Sequence, residues 1–284
     1  MKCSLILATL GRDVELVGFL DSLVTQTHQD FELIIIDQNQ DAKIDAIVDR
    51  YRSLFSLNHV KVKFSGNARA RDYGIRFATG AIAAFPDDDC AYERDVLAKV
   101  VDEFTGKPDL SILVTGSYDF GKTRFSIGVN ARRPRYFSRF YMMGVEFTHF
   151  FNLNKINSVD FHLDHDFGIG SKYSGAEGFE LLYRLLRAGN LAFYTPHIKI
   201  YHANKDSHLL GSERMLKYSS GVGALIRKFT NQYDPSMLYF IARKMFVTPV
   251  LKMLFAMVLL DRQRMSYSYC NLIGIWQGFL AYGK

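Results

Sequence analysis

Cysteine is scarce in this chain of 284 residues: Cys3, Cys90 and Cys270 are odd in number and far apart. Such a set offers neither a disulfide framework nor the C-x-x-C spacing of a zinc site, and it suits a reducing compartment. A leader is not expected either. The apolar-leaning run before Gly11 and Arg12 in "MKCSLILATLGRD" is shorter than the core of a signal peptide and lacks a small-residue cleavage site, so a cytoplasmic location is expected. Long uncharged apolar runs are also missing. The most apolar stretch, residues 237–260, is interrupted by Arg243, Lys244 and Lys252, and its longest uncharged piece is about eight residues. A helix that spans a bilayer needs roughly 20.

Acidic residues are sparse in the tail. From position 205 to 284 eleven Lys or Arg face four Asp or Glu, a net charge of +7, which leaves about −1 for the preceding residues of a chain whose total is +6. Hydrophobic residues at 48% and charged residues at 23% are the composition of a folded chain, not a disordered one. The length allows one large α/β domain with an appendage. The expected division is residues 1–204 as the nucleotide-binding and catalytic domain and 205–284 as a basic, amphipathic helical tail.

Strand patterns alternate with helical ones through the first part of the chain. "CSLILAT" (residues 3–9) is a buried-strand run, and Val14, Leu16, Val17, Leu20, Leu23 and Val24 recur at helical spacing. "FELIIID" (31–37) is a second strand, Ile44, Ile47, Val48 and Tyr51 mark a second helix, and "HVKVKF", "RARDYGIRFA" and "AIAAF" continue the alternation. This order predicts a mostly parallel, doubly wound sheet, and such sheets bind ligands outside the carboxyl ends of their strands. Those ends carry Thr9, Gly11 and Arg12 after the first strand, Asp37, Gln38 and Asn39 after the second, and Asp87, Asp88 and Asp89 after the fourth. Three consecutive aspartates repel one another. They suit a solvated turn or a helix cap, but beside two other polar strand ends they suit a divalent cation shared with substrate phosphates better. The residues read as a metal-dependent nucleotide site.

"ATLGR", "FELIIIDQNQD", "GNARARDYGI" and "ATGAIAAFPDDDCAY" occur in the order and spacing seen in family 2 glycosyltransferases, and residues 2–204 resemble bacterial members that assemble polysaccharide, O-antigen or capsule. The resemblance implies a GT-A, Rossmann-like fold and an inverting transfer from a nucleotide diphosphate sugar to a saccharide or lipid-linked acceptor, assisted by Mn²⁺ or Mg²⁺. No nucleic-acid partner is expected. By the same resemblance Thr9 and Asp37 hold the nucleobase, Arg12 belongs to the donor site, and Arg71 lies near the diphosphate or pairs with the aspartates. Asp87 and Asp88 face ribose and donor sugar, while Asp89 and His202, the latter from "FYTPHIKIYHANKDS", ligate the metal. Asp72 stands where the family usually has Asn.

"DFGIGSKYSGAEGFELLYRLLRAG" resembles the family segment that carries the general base, and Glu177 falls on the family's Glu. Gly178 stands where the base is usually an acid. Glu177 is therefore expected to act as base; the alternatives are that Glu180, one turn along, contributes, or that Glu177 only complements the helix dipole as a first-turn acid. Asp164 aligns with an Asp that positions acceptor or holds its loop, whereas His162, His165 and Asp166 have no role in the pattern. The alternatives are a metal-dependent nucleotidyltransferase and, because of Gly178 and Asp72, an impaired member that binds donor only.

Residues 116–154 show no clear period. Their aromatics and Arg132, Arg133, Arg135 and Arg139 suit a loop that stacks on sugar rings or meets a lipid diphosphate, or else a flexible basic insertion. Residues 237–260, broken at Pro249 and followed by Trp276, Phe279 and Tyr282, fit an amphipathic helix on the inner face of the cell membrane. They also fit a hairpin packed on the sheet or a dimer contact.

Overall fold

A computed structural model describes residues 1–203 and 211–283. The chain forms two compact units. The first gathers Met1–Leu163 with the chain from Leu181 through the last strand; the second gathers Asp164–Glu180 with the C-terminal helices. The domain boundary expected at 204/205 lies outside the described residues.

The first unit is built on β1 (Cys3–Thr9), β2 (Phe31–Asp37), β3 (Ser56–Lys61), β4 (Ile82–Ala84), β5 (Cys90–Tyr92), β6 (Ile112–Tyr118), β7 (Arg135–Phe137), β8 (His149–Asn152) and β9 (Ala192–His202). They form one sheet in the order β3-β2-β1-β4-β8-β6-β9-β5, with β7 also on β9. The long ladders are parallel: β1 with β2 over Cys3↔Phe31 to Thr9↔Asp37, β2 with β3, and β6 with β9. β8 enters antiparallel between β4 and β6, and β5 and β7 lie antiparallel on β9. The sheet is thus mostly parallel, with antiparallel additions of three or four residues, β7 and β8 from the stretch 116–154 that shows no period and β5 directly after the aspartates.

The apolar strands are covered on both faces, as parallel strands require. Cys3, Leu5, Leu7, Leu33 and Ile35 pack with α1 (Val14–Val24), α2 (Asp45–Tyr51) and α4 (Val96–Gly106). Their neighbours Ile6, Ile34 and Ile36 face the other way, toward α3 (Asn67–Ile75) and α5 (Glu177–Arg187), whose Leu181, Leu182 and Leu185 share that core. α3 sits so close to β1 that a Cβ on Gly74 would lie 2.4 Å from the Ile6 side chain. The third strand falls at Ser56–Lys61, earlier than "HVKVKF" suggests, because pairing with β2 from Glu32↔Ser56 to Asp37↔Lys61 fixes its register.

In the second unit α6 (Ser212–Asn231) and α9 (Arg262–Ala281) cross at small residues. A Cβ on Gly223 would be 1.8 Å from the Ile275 carbonyl oxygen, and one on Gly278 1.8 Å from that of Ser220. Asn271 Nδ2 donates to Ser219 Oγ at 2.8 Å across the same pair. Between them run α7 (Ser236–Phe240), a π-helical turn (Ile241–Val247) and α8 (Thr248–Val258). Pro249 does not end this segment: the helical run continues from the π-helical turn into α8, with Pro249 at its first turn directly after that turn. Among the described residues no helix is long and apolar enough to cross a membrane.

Candidate active site

The register of β1 and β2 brings Thr9 and Asp37 side by side at the carboxyl end of the sheet. Asp37 is fully buried and accepts from the Asn39 backbone N–H and Nδ2, both at 2.8 Å. It also meets His59 Nε2 at 3.0 Å. Burial works to raise its pKa, but the donors of His59 and Asn39 outweigh that and hold it below the ordinary aspartate value. Asn39 Oδ1 in turn accepts from Gly11 N–H at 2.8 Å, tying the turn after β1 to the turn after β2. His59 is a partner that the motif reading did not name; its signal was its position on the strand next to Asp37.

The three aspartates divide between two sets of partners. Asp88 accepts from Thr9 Oγ1 at 2.8 Å and from Arg12 Nη1 at 2.6 Å. Arg12 Nη1 also reaches Asp89 Oδ2 at 2.7 Å. Asp87 Oδ1 lies 2.5 Å from Nη2 of Arg71, whose own side chain is nearly inaccessible and also donates to the Phe85 carbonyl at 3.3 Å. Burial pushes the Asp87 and Asp88 carboxyls up; Arg71 pulls the first back and Arg12 the second. Glu146, in the irregular segment between β7 and β8, adds to the upward push on Asp87, and nothing in its sequence context singled it out.

Asp87, Asp89 and His202 offer donor atoms that all lie within 4.8 Å of one another. His202 comes from the far end of β9, where its pairing with Cys90 places it beside the aspartates. Its Nε2 is 3.3 Å from Asp89 Oδ1, and its ring stacks on Phe147 at 4.9 Å with 12° between the planes. Its buried Nδ1 has no hydrogen-bond partner among the described residues. Two carboxylates and an imidazole whose Nε2 faces one of them fit a borderline divalent ion such as Mn²⁺. Asp87, which the resemblance gives to the donor, thus groups with Asp89 and His202, and Asp88 with Arg12. Asp72 is a structural partner in this arrangement: its Oδ1 accepts from the Leu163 backbone at 2.9 Å.

The expected base belongs to the second unit. Glu177 opens α5, directly after Gly175 and Ala176, which hold φ values of +86° and +69°. A non-glycine residue at positive φ is strained, and strain of this kind gathers at functional turns. α6 supports the turn from outside, since a Cβ on Gly221 would lie 2.6 Å from the Gly175 carbonyl oxygen. Glu177 itself is buried. Lys228 of α6 donates to Asp164 Oδ2 and Glu180 Oε1, both at 2.7 Å. Burial opposes the Lys228 charge, but Glu180 and Asp164 raise its pKa above the usual lysine value. Glu180, fully buried in this pair, is a structural anchor and not a spare base. Lys228 lies 48 residues from Glu180, so no local pattern announced it.

The sheet, mostly parallel and covered by helices on both faces, carries a carboxylate–imidazole cluster at its carboxyl edge, the architecture of a Rossmann-like α/β protein. The chain belongs to the family "Glycosyl transferase family 2", whose profile matches residues 4–210. Among curated relatives, Protein CgeD of Bacillus subtilis is 26% identical over 174 residues, covering 58% of this chain and 37% of CgeD. Glucosyl-dolichyl phosphate glucuronosyltransferase of Haloferax volcanii is 26% identical over 112 residues, covering 38% of this chain and 36% of the relative. The matches therefore span well under two thirds of those relatives. Among solved structures, the mannosyltransferase PcManGT of Pyrobaculum calidifontis, in complex with GDP-Man and Mn²⁺, superposes with a TM-score of 0.67 at 14% identity, covering 99% of this chain and 88% of that one. S. aureus TarS 1–349 in complex with UDP-GlcNAc gives 0.60 at 14% identity, with 99% and 93% covered. At these identities the likeness is one of fold.

Proposed function

We propose that this protein transfers a sugar from a nucleoside diphosphate sugar to a hydroxyl of a saccharide or lipid-linked acceptor, with inversion at the anomeric carbon, in the synthesis of a bacterial surface polysaccharide. The convergence of Asp87, Asp89 and His202 beside the Thr9–Asp37 strand ends is the observation that carries this reading. Asp37, held ionised by His59 and Asn39, accepts hydrogen bonds from the nucleobase. Arg12, on the exposed side of Asp88 and Asp89, meets the phosphates. Asp87, Asp89 and His202 hold the Mn²⁺ or Mg²⁺ ion, which when bound supplies Lewis-acid neutralisation of the departing diphosphate. Glu177 takes the proton of the acceptor hydroxyl, an assignment that rests on its place in the "GAEGFELL" motif. Gly178 in the neighbouring position favours a second reading, a family member that binds donor and does not turn over.

A thermal-shift titration with UDP-, GDP- and dTDP-sugars, with and without Mn²⁺, tests the donor site. Ligand at a hundredfold excess over Kd stabilises by about 2.7 kcal/mol, so one base class should raise the melting temperature clearly, and more so with Mn²⁺. The Asp89→Asn variant should lose the metal-dependent part. If no nucleotide sugar shifts the transition, or if Asp89→Asn and chelator leave the shift unchanged, the reading fails. Release of nucleoside diphosphate, not pyrophosphate, separates sugar transfer from nucleotidyl transfer, and donor binding with no turnover on acceptor extracts supports the second reading.

A further inference from the structure

α8 is apolar apart from Thr248 and a single charge, Lys252, and so rich an apolar surface calls for apolar neighbours on more than one side. Among the described residues it has them on one side. Pro249 and Ala256 are buried, with α9 packed alongside. On the opposite side Val247, Val250, Leu251, Leu254, Phe255 and Val258 recur at i, i+3, i+4, i+7, i+8 and i+11, and each is at least half exposed. Leu259 and Leu260, at the tip of the α8–α9 hairpin, extend the same surface, and Leu260 is 86% exposed. A contiguous bare patch of this kind marks an interaction surface, in contrast to single exposed leucines.

The charges around the patch identify what covers it. Arg243 and Lys244 precede it, Lys252 flanks it, and Arg262 and Arg264 follow the tip, where Asp261, ion-paired with Arg264 at 2.9 Å, is the acid. Burial and the neighbouring Arg243 and Lys252 charges already press the Lys244 pKa down, so these cations crowd one another. A symmetric contact between two copies would set this cationic rim against itself, whereas an anionic lipid surface would complement it.

We propose that the α8 face and the α8–α9 tip insert into the interfacial region of an anionic lipid bilayer, with Arg243, Lys244, Lys252 and Arg262 on the headgroups. Helices that are too short or too charged to span, yet carry an apolar face with a basic border, lie in the interface plane.

The test uses the whole chain and large unilamellar vesicles of phosphatidylglycerol and phosphatidylcholine, or of phosphatidylcholine alone, in a flotation assay, with light scattering for solution mass. The wild type should float with phosphatidylglycerol vesicles at low salt. Leu251→Asp with Leu254→Asp should lower the partition coefficient about tenfold or more, and Arg243→Glu with Lys252→Glu should abolish the preference for the anionic lipid. Both pairs of sites are solvent-facing or intermediate, and an unchanged melting temperature checks that each variant is folded. Equal flotation of wild type and the Leu251/Leu254 variant would overturn the proposal. So would a concentration-dependent dimer that this variant dissociates. Neither readout depends on a nucleotide sugar, so the result stands apart from the assignment of sugar transfer.

Discussion

His149, at the start of β8, is held well away from its ordinary titration range. It is fully buried, its Nε2 lies 3.2 Å from the Met143 carbonyl oxygen, and burial holds its pKa down at about 4, helped by the nearby Arg71 charge. A histidine with an ordinary pKa near 6.5 when unfolded then takes up a proton on acidification before its folded counterpart does. Its contribution is therefore intact above about pH 6.5 and is progressively lost as pH falls toward 4, roughly 3 kcal/mol over that window. Unfolding midpoints in urea between pH 4 and 7 should show this slope, and His149→Asn should flatten it; an unchanged slope would show that other groups dominate. Glu177 carries the second residue-scale prediction. Glu177→Gln should abolish sugar transfer while donor binding, read by thermal shift, survives, and a variant with most of its turnover would remove Glu177 from the role of base.

At the scale of elements, two contacts hold the helical unit in register. Lys228→Met removes the cation that meets both Glu180 and Asp164, a change expected to cost about 3 kcal/mol or more, measured by chemical unfolding. Gly278→Val places a branched side chain where the Ser220 carbonyl already stands, so the crossing of α6 and α9 must open and the melting temperature should fall by several degrees. Elements of this kind were legible to different degrees in the sequence. β1, β2 and the helices that cover them could be read because the apolar runs and the 3.6-residue spacing are strong and local. β5, β7 and β8 could not, since three or four residues among aromatics and arginines carry no period and acquire strand geometry only from the ladders they join. The aspartates, Arg71 and His202 were accessible through motif spacing. His59 left only the weak signal of its place on the strand beside Asp37, and Glu146 and Lys228 left none, because each acts on a partner far away in sequence through packing that no local pattern encodes. Pro249 misled in the opposite sense, as a breaker that the first turn of a helix accommodates.

The whole molecule places its two site-forming segments far apart in the chain. The aspartates follow β4, while His202 ends β9 and meets Cys90 only when β9 has paired with β6 on one side and β5 on the other. Pairings of such long sequence separation form slowly, since loop closure must precede the contacts that reward it. The parallel block β3-β2-β1 can assemble from strands adjacent in sequence; the cluster of Asp87, Asp89 and His202 cannot. During refolding, then, recovery of Mn²⁺ affinity should lag behind recovery of far-ultraviolet circular dichroism, and His202→Ala should leave the dichroism trace in place while removing the later signal. On the proposed assignment of Asp87, Asp89 and His202, a bound ion would report completed assembly, since a chain able to hold it has closed the last ladder of its sheet.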